Sequence, residues 1–147
     1  MKKDFKTLRI LVVDDEPLIL MSISRFLKKI ASVKTVSTAE EALDAIDEQH
    51  YDLCFLDVNL PGMTGLDAMK IINKLSPNTK VAIMTATLLN EAMKQQVDDN
   101  AYTFIEKPFA LSDIEGVTER VAVDLNHSAP LSDDITSLLH TIRQDHL

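Results

Sequence analysis

The chain has 147 residues, a size typical of one domain with a short appendage. Hydrophobic residues make up 46% and charged residues 26%, a balance that excludes an intrinsically disordered chain. Its net charge of -8 repels phosphate backbones, so we expect no direct nucleic-acid binding. One cysteine, Cys54, allows no intramolecular disulfide, and the apolar run at residues 10–13 is too short for a secretory signal or membrane span. We therefore expect a cytoplasmic protein without membrane contact.

Short apolar runs alternate with segments of helical periodicity along the chain. The runs are residues 8–13, 33–36, 53–56, 81–84 and 102–105. The first, third and fourth runs are the most apolar, which is typical of central strands, whereas the second and fifth are more polar and suit the edges. The pattern predicts an α/β fold: a doubly wound, five-stranded parallel sheet of order 2-1-3-4-5, the flavodoxin-like (βα)5 arrangement.

The helical pattern breaks after Leu125. We therefore predict one domain over residues 7–125, and a linker with a short amphipathic helical tail over residues 126–147. Residues 132–134 (Ser-Asp-Asp) are suited to cap that last helix. A helix of about a dozen residues is marginal alone in water, so it must pack on something or fray.

Polar side chains follow four of the predicted strands. Asp14 and Asp15 follow the first strand, Asp57 the third, Thr85 the fourth and Lys107 the fifth. Because parallel strands end at the same sheet edge, these side chains are expected to converge. Oxygen-only ligands suit Mg²⁺, and a carboxylate beside such an ion can act as a nucleophile toward phosphorus. A hydroxyl and an ammonium then supply the electrostatic stabilisation that phosphoryl transfer requires.

Together these motifs resemble the receiver domains of two-component response regulators. The matching segments are ILVVDDEP at residues 10–17, DVNLPGMTG at 57–65, MTA at 84–86 and FIEKPF at 104–109. The resemblance covers residues 7–125. It implies the receiver form of the flavodoxin-like fold and a switch controlled by phosphorylation.

The resemblance also implies chemical roles for individual residues. Asp57 is expected to be the phosphoacceptor, taking a phosphoryl group from a phosphohistidine on a sensor histidine kinase or phosphotransfer protein. Lys107 is expected to contact the phosphoryl group and Thr85 to move toward it on activation. In such domains the bond between Lys107 and Pro108 is usually cis.

The implied cofactor is Mg²⁺. Asp15 is expected to bind it directly and Asp14 mainly through water, with Asp57 and the backbone carbonyl of Asn59 as further ligands. No other cofactor is expected.

Phe104 matches the switch-aromatic position of the family, and it is equally compatible with a plain core residue of an edge strand. In the first interpretation, Phe104 fills the space that Thr85 vacates, and the surface of helix four, strand five and helix five changes to control a downstream protein. That surface, or the tail helix, is also where a homodimer would form. Asn100 replaces the glycine that commonly ends helix four, and we expect it to adopt the same left-handed conformation.

Two alternatives remain open. One is a metal-dependent phosphohydrolase with an aspartyl nucleophile; such enzymes carry a second acid two residues after the nucleophile, where this chain has Asn59. The other is a pseudo-receiver that only binds partners. The favoured interpretation is a switch that catalyses only its own phosphorylation and autodephosphorylation, either as a single-domain regulator or as the receiver portion of a longer protein.

Overall fold

A five-stranded parallel sheet forms the centre of the molecule, in a computed structural model that describes residues 7–86 and 88–128, without the side chains of residues 127 and 128. The strand order is β2-β1-β3-β4-β5, which confirms the predicted topology and both predicted edges. The strands are β1 (Arg9–Val13), β2 (Ser32–Val36), β3 (Leu53–Asp57), β4 (Lys80–Thr85) and β5 (Thr103–Glu106).

Burial along the strands follows their apolar content. Every residue of central β3 is buried, whereas β2 at one edge buries only Val36. The sheet is in register across its centre, so that Val13 of β1 lies opposite both Val36 and Leu56. As a result, β1 and β3 end side by side at the carboxyl edge of the sheet.

Five helices connect and cover the strands. They are α1 (Pro17–Leu27), α2 (Ala39–Glu48), α3 (Gly65–Leu75), α4 (Glu91–Asn100) and α5 (Leu111–Ser128). Thr38 holds the N-cap position of α2, and its hydroxyl accepts a hydrogen bond from the Glu41 amide at 3.1 Å. Proline at the start of α1 costs nothing there, because the first helical amides lack intrahelical acceptors.

Successive strand side chains point to opposite faces, so the sheet separates two hydrophobic layers. Strand residues that face α2, α3 and α4 are Leu11, Val13, Cys54, Leu56, Val81 and Ile83. Those that face α1 and α5 are Ile10, Val12, Leu53, Phe55, Ala82 and Met84. Burial raises the pKa of the Cys54 thiol to about 12, in keeping with a small apolar residue of the core.

Helix α3 approaches the end of β3 very closely at Gly65. The Gly65 amide donates a hydrogen bond to the Val58 carbonyl at 3.0 Å. A Cβ atom at this position would lie 2.0 Å from the backbone oxygen of Asp57. Glycine is therefore the residue that lets α3 begin directly against the strand end that carries Asp57.

Two helix ends differ from the predictions. Asn100 does not adopt the left-handed conformation: among the described residues no non-glycine φ is positive, and Asn100 is the last residue of α4. Its side-chain amide instead donates to the Gln96 carbonyl at 2.9 Å, which satisfies an acceptor of the last turn without a left-handed residue. Helix α5 continues three residues past Leu125, because Asn, His and Ser are only weakly unfavourable in helices.

The predicted tail helix, with its proposed cap at residues 132–134, lies outside the described residues. Within the described ranges, no helix combines the length and the apolar character needed to cross a membrane.

Gly65→Ala is expected to destabilise the protein by about 1–3 kcal/mol, because the new methyl group must displace the backbone of Asp57. The matched control is Gly116→Ala in α5, where a Cβ meets nothing within 4 Å. There the higher helix propensity of alanine is expected to add about 1 kcal/mol to the free energy of unfolding. Urea unfolding of both variants measures the difference. Equal stability of the two variants would contradict the close approach.

Candidate functional site

The end of β1 delivers a buried carboxylate. Asp14 is fully buried, and its amide donates to the Val36 carbonyl of β2 at 3.3 Å. One carboxylate oxygen accepts a hydrogen bond from the Glu16 amide at 2.9 Å, as in a turn that leads into α1. This contact leaves the other oxygen of Asp14 directed toward Lys107.

Asp57 is the last residue of β3 and is only 2% exposed. Its Oδ1 accepts a hydrogen bond from the Asn59 amide at 3.3 Å. The backbone just beyond it is fixed by a hydrogen bond from the Val58 amide to the Met84 carbonyl of β4, at 3.0 Å. The carboxylate is thus held at the sheet edge by β3, β4 and the start of α3.

Lys107 connects these two acids. Its Nζ lies 2.7 Å from Oδ2 of Asp14 and 3.4 Å from Oδ2 of Asp57, and its side chain is 9% exposed. The Lys107 amide donates to the Thr85 carbonyl at 2.8 Å, so the lysine is anchored to the end of β4. The peptide bond between Lys107 and Pro108 is cis, which confirms the expectation from the resemblance.

The surroundings of Asp57 oppose its ionisation. Burial and the nearby charge of Asp14 raise its pKa from the ordinary value of 3.8 to about 6, although Lys107 and the Asn59 amide act in the opposite direction. Burial alone lowers the pKa of Lys107, but its hydrogen bond and ion pair with Asp14, and the charges of Asp57 and Glu16, outweigh that effect and raise it. Lys107 therefore stays charged, but its single positive charge does not fully offset the burial of Asp57 and the repulsion from Asp14.

A second grouping of acids lies at the same edge. Within the described residues, Asp14, Asp15 and Glu16 form a group in which one carboxylate oxygen from each residue lies within 4.8 Å of the other two. Asp57 is outside this group. That Asp57 shares a cation with Asp14 and Asp15 therefore stays a prediction from the sequence. Glu16 was absent from the predicted site residues, although it directly follows Asp15 in the sequence and precedes the proline that starts α1.

The donor set suits Mg²⁺. Carboxylate oxygens of Asp14, Asp15 and Asp57, with the backbone carbonyl of Asn59, are the hard oxygen ligands that this ion prefers, and Asp15 and Asn59 are exposed to the solvent that supplies its remaining waters. These residues could hold the ion at the sheet edge, where it would add positive charge beside Asp57.

A cleft of about 320 Å³ begins beside this site and extends between α4 and β5. Buried Thr85 and Lys107 line the cleft, as does Phe104, which is 47% exposed. The interpretation of Phe104 as a plain core residue is wrong, because alternation along β5 places the neighbouring Ile105 in the core instead. On the other side of the cleft, α4 fully buries only Val97.

Comparison with known proteins agrees with this architecture. Residues 10–119 match the family model of the response regulator receiver domain. The transcriptional regulatory protein LytR of Staphylococcus aureus is 31% identical over 137 residues, which are 88% of this chain and 55% of LytR. The chain spans about half or less of the length of curated relatives such as this one.

Solved structures show the same fold. A CheY-like response regulator receiver domain from Methanospirillum hungatei superimposes with a TM-score of 0.76 at 27% identity, over 82% of this chain and 98% of the other. The response regulator TrrA of Thermotoga maritima, solved in complex with Mg²⁺ and beryllium fluoride, gives a TM-score of 0.69 at 29% identity, over 78% of this chain and 98% of TrrA.

Fold, strand-end residues and sequence similarity agree over most of the chain. The chain belongs to the response regulator receiver domain family of two-component signalling.

Proposed function

We propose that this chain is a phosphorylation-activated switch that accepts a phosphoryl group on Asp57. The observation that carries the proposal is the buried Asp57 carboxylate, 3.4 Å from the Lys107 ammonium and adjacent to Asp14 at the edge of the sheet. The donor is a phosphohistidine on a sensor histidine kinase or a phosphotransfer protein.

In the transfer, an Asp57 carboxylate oxygen forms a bond to phosphorus while the bond from phosphorus to the histidine nitrogen breaks. The electron pair of that bond returns to the imidazole of the donor. Lys107 is placed to pair with the phosphoryl oxygens, and the Asn59 amide positions the attacking carboxylate. Bound Mg²⁺ supplies the positive charge that offsets the repulsion between the phosphoryl oxygens and the acids.

The chain's own chemistry is limited to this phosphorylation and the later hydrolysis of the aspartyl phosphate. The position two residues beyond Asp57 is Asn59, whose side chain cannot act as the second acid of a phosphohydrolase. The buried set of Asp14, Asp57 and Lys107 also argues against a pseudo-receiver, because burying charged groups is costly and the set is the one that phosphoryl transfer would use.

The output of the switch is proposed to run through the cleft beside the site. When Thr85 moves toward a phosphoryl group on Asp57, Phe104 has room to enter the cleft that both residues line. The surface of α4, β5 and α5 then changes, and it binds a downstream protein or a second copy of the chain. We expect these steps in the cytoplasm, where histidine kinases present their phosphohistidine.

Incubation with acetyl phosphate and Mg²⁺ is expected to add one phosphoryl group, measured as intact mass. Asp57→Asn is expected to gain none, because the amide is not a nucleophile toward phosphorus. Asp44→Asn, an exposed change on α2, is the matched control and is expected to react like the wild type. Equal gain by Asp57→Asn would show that another residue is modified.

Asp57→Asn is also expected to stabilise the metal-free protein above pH 6. The folded pKa of Asp57, about 6, lies above the unfolded value, so the folded state binds the proton more tightly and loses stability as pH rises from about 4 to about 6. The variant lacks this loss, and its advantage in the free energy of unfolding is expected to grow by about 1–3 kcal/mol between pH 4 and pH 7.5.

Urea unfolding in EDTA at both pH values measures that growth, and Asp44→Asn controls for the removal of one negative charge. An advantage of the same size at pH 4 and pH 7.5 would contradict the unfavourable ionisation of Asp57.

A further inference from the structure

Glu16 lies at the junction of β1 and α1, where its carboxylate has two kinds of neighbour. One of its oxygens lies within 4.8 Å of one oxygen of Asp14 and one of Asp15, and its Oε1 is 3.5 Å from Nζ of Lys107. The side chain is 60% exposed, so it reaches the site from the solvent side.

Capping does not account for this position. Glu16 is the N-cap residue of α1, yet its side chain accepts no capping hydrogen bond from the helix amides. The N-cap residues of α2, α3 and α4 each accept such a hydrogen bond with their side chains; they are Thr38, Thr64 and Asn90. The Glu16 carboxylate is turned toward the lysine and the acids rather than toward its own helix.

The Lys107 ammonium competes with any cation for the same oxygens. It lies 2.7 Å from the Asp14 carboxylate, which we propose as a Mg²⁺ ligand, and at the longer distance of 3.5 Å from Glu16. Asp57, the lysine's other partner at 3.4 Å, is also a proposed ligand, so Glu16 offers the lysine a carboxylate outside the proposed ligand set when Asp14 and Asp57 interact with the cation. The same negative charge attracts the cation directly, so both effects of Glu16 favour cation binding.

We infer that Glu16 is a positioning residue that strengthens Mg²⁺ binding by adding negative charge beside Asp14 and Asp15 and by giving Lys107 an alternative partner. This inference rests on the Mg²⁺ site of the proposed function. Because Mg²⁺ usually keeps several of its waters, a carboxylate beyond its direct ligands still interacts with it through them.

The test is the dissociation constant for Mg²⁺ alone, measured from amide chemical shifts in a Mg²⁺ titration without phosphodonor. Glu16→Gln is expected to raise this constant about threefold to tenfold at low ionic strength, and by less in high salt because the side chain is exposed. The matched control is Glu48→Gln at the last residue of α2, an exposed change of equal charge at the opposite end of that helix from the sheet edge. It is expected to leave the constant unchanged.

Wild-type affinity in Glu16→Gln would overturn the inference, as would an equal loss in Glu16→Gln and Glu48→Gln, which would indicate net charge alone. Asp15→Asn separates the two levels of the argument. If it binds Mg²⁺ like the wild type, the proposed Mg²⁺ site fails and the inference with it. If Asp15→Asn loses binding while Glu16→Gln does not, only the role of Glu16 is overturned.

Discussion

The ion pair between Lys107 and the two buried acids determines the organisation of the site. One ammonium lies 2.7 Å from Asp14 and 3.4 Å from Asp57, and these three residues follow or end three different strands. Removing charges from water is costly, so each buried acid depends on this lysine or on a cation. The strand order, the close approach of α3 at Gly65 and the hydrogen bond from Lys107 to Thr85 all serve to hold the three groups together.

This arrangement also favours the cation binding that we propose. Lys107 lies closer to Asp14 than to Asp57, and the pKa of Asp57 is raised first by burial and then by the remaining repulsion from Asp14. A folded protein that retains such repulsion has free energy available for binding, because a cation that relieves the repulsion is bound more tightly. The repulsion that lowers the free energy of unfolding thereby raises the affinity for a cation.

Much of this architecture could be predicted from sequence, because strand burial and strand-end position depend on local patterns. The apolar content of the runs predicted the strand order. Lys107 contacts Asp14 and Asp57 because the parallel strands end at the same edge of the sheet. Glu16 could not be assigned, since its contact with Lys107 depends on the angle at which α1 leaves β1. The exposure of Phe104 could not be predicted either, because a four-residue edge strand has too few residues to show which side chains face the core.

The weak packing of α4 has an energetic consequence. Val97 is the one buried side chain of α4, and the burial of such a side chain contributes roughly 1.5–3 kcal/mol. Coupling free energies between sites in switching proteins are typically about 1–3 kcal/mol. The contribution of this one buried side chain is thus of the same size as the coupling free energy between two sites. A more firmly anchored helix would change its population less for the same coupling free energy, so the sparse burial along α4 favours the movement of this surface that we propose.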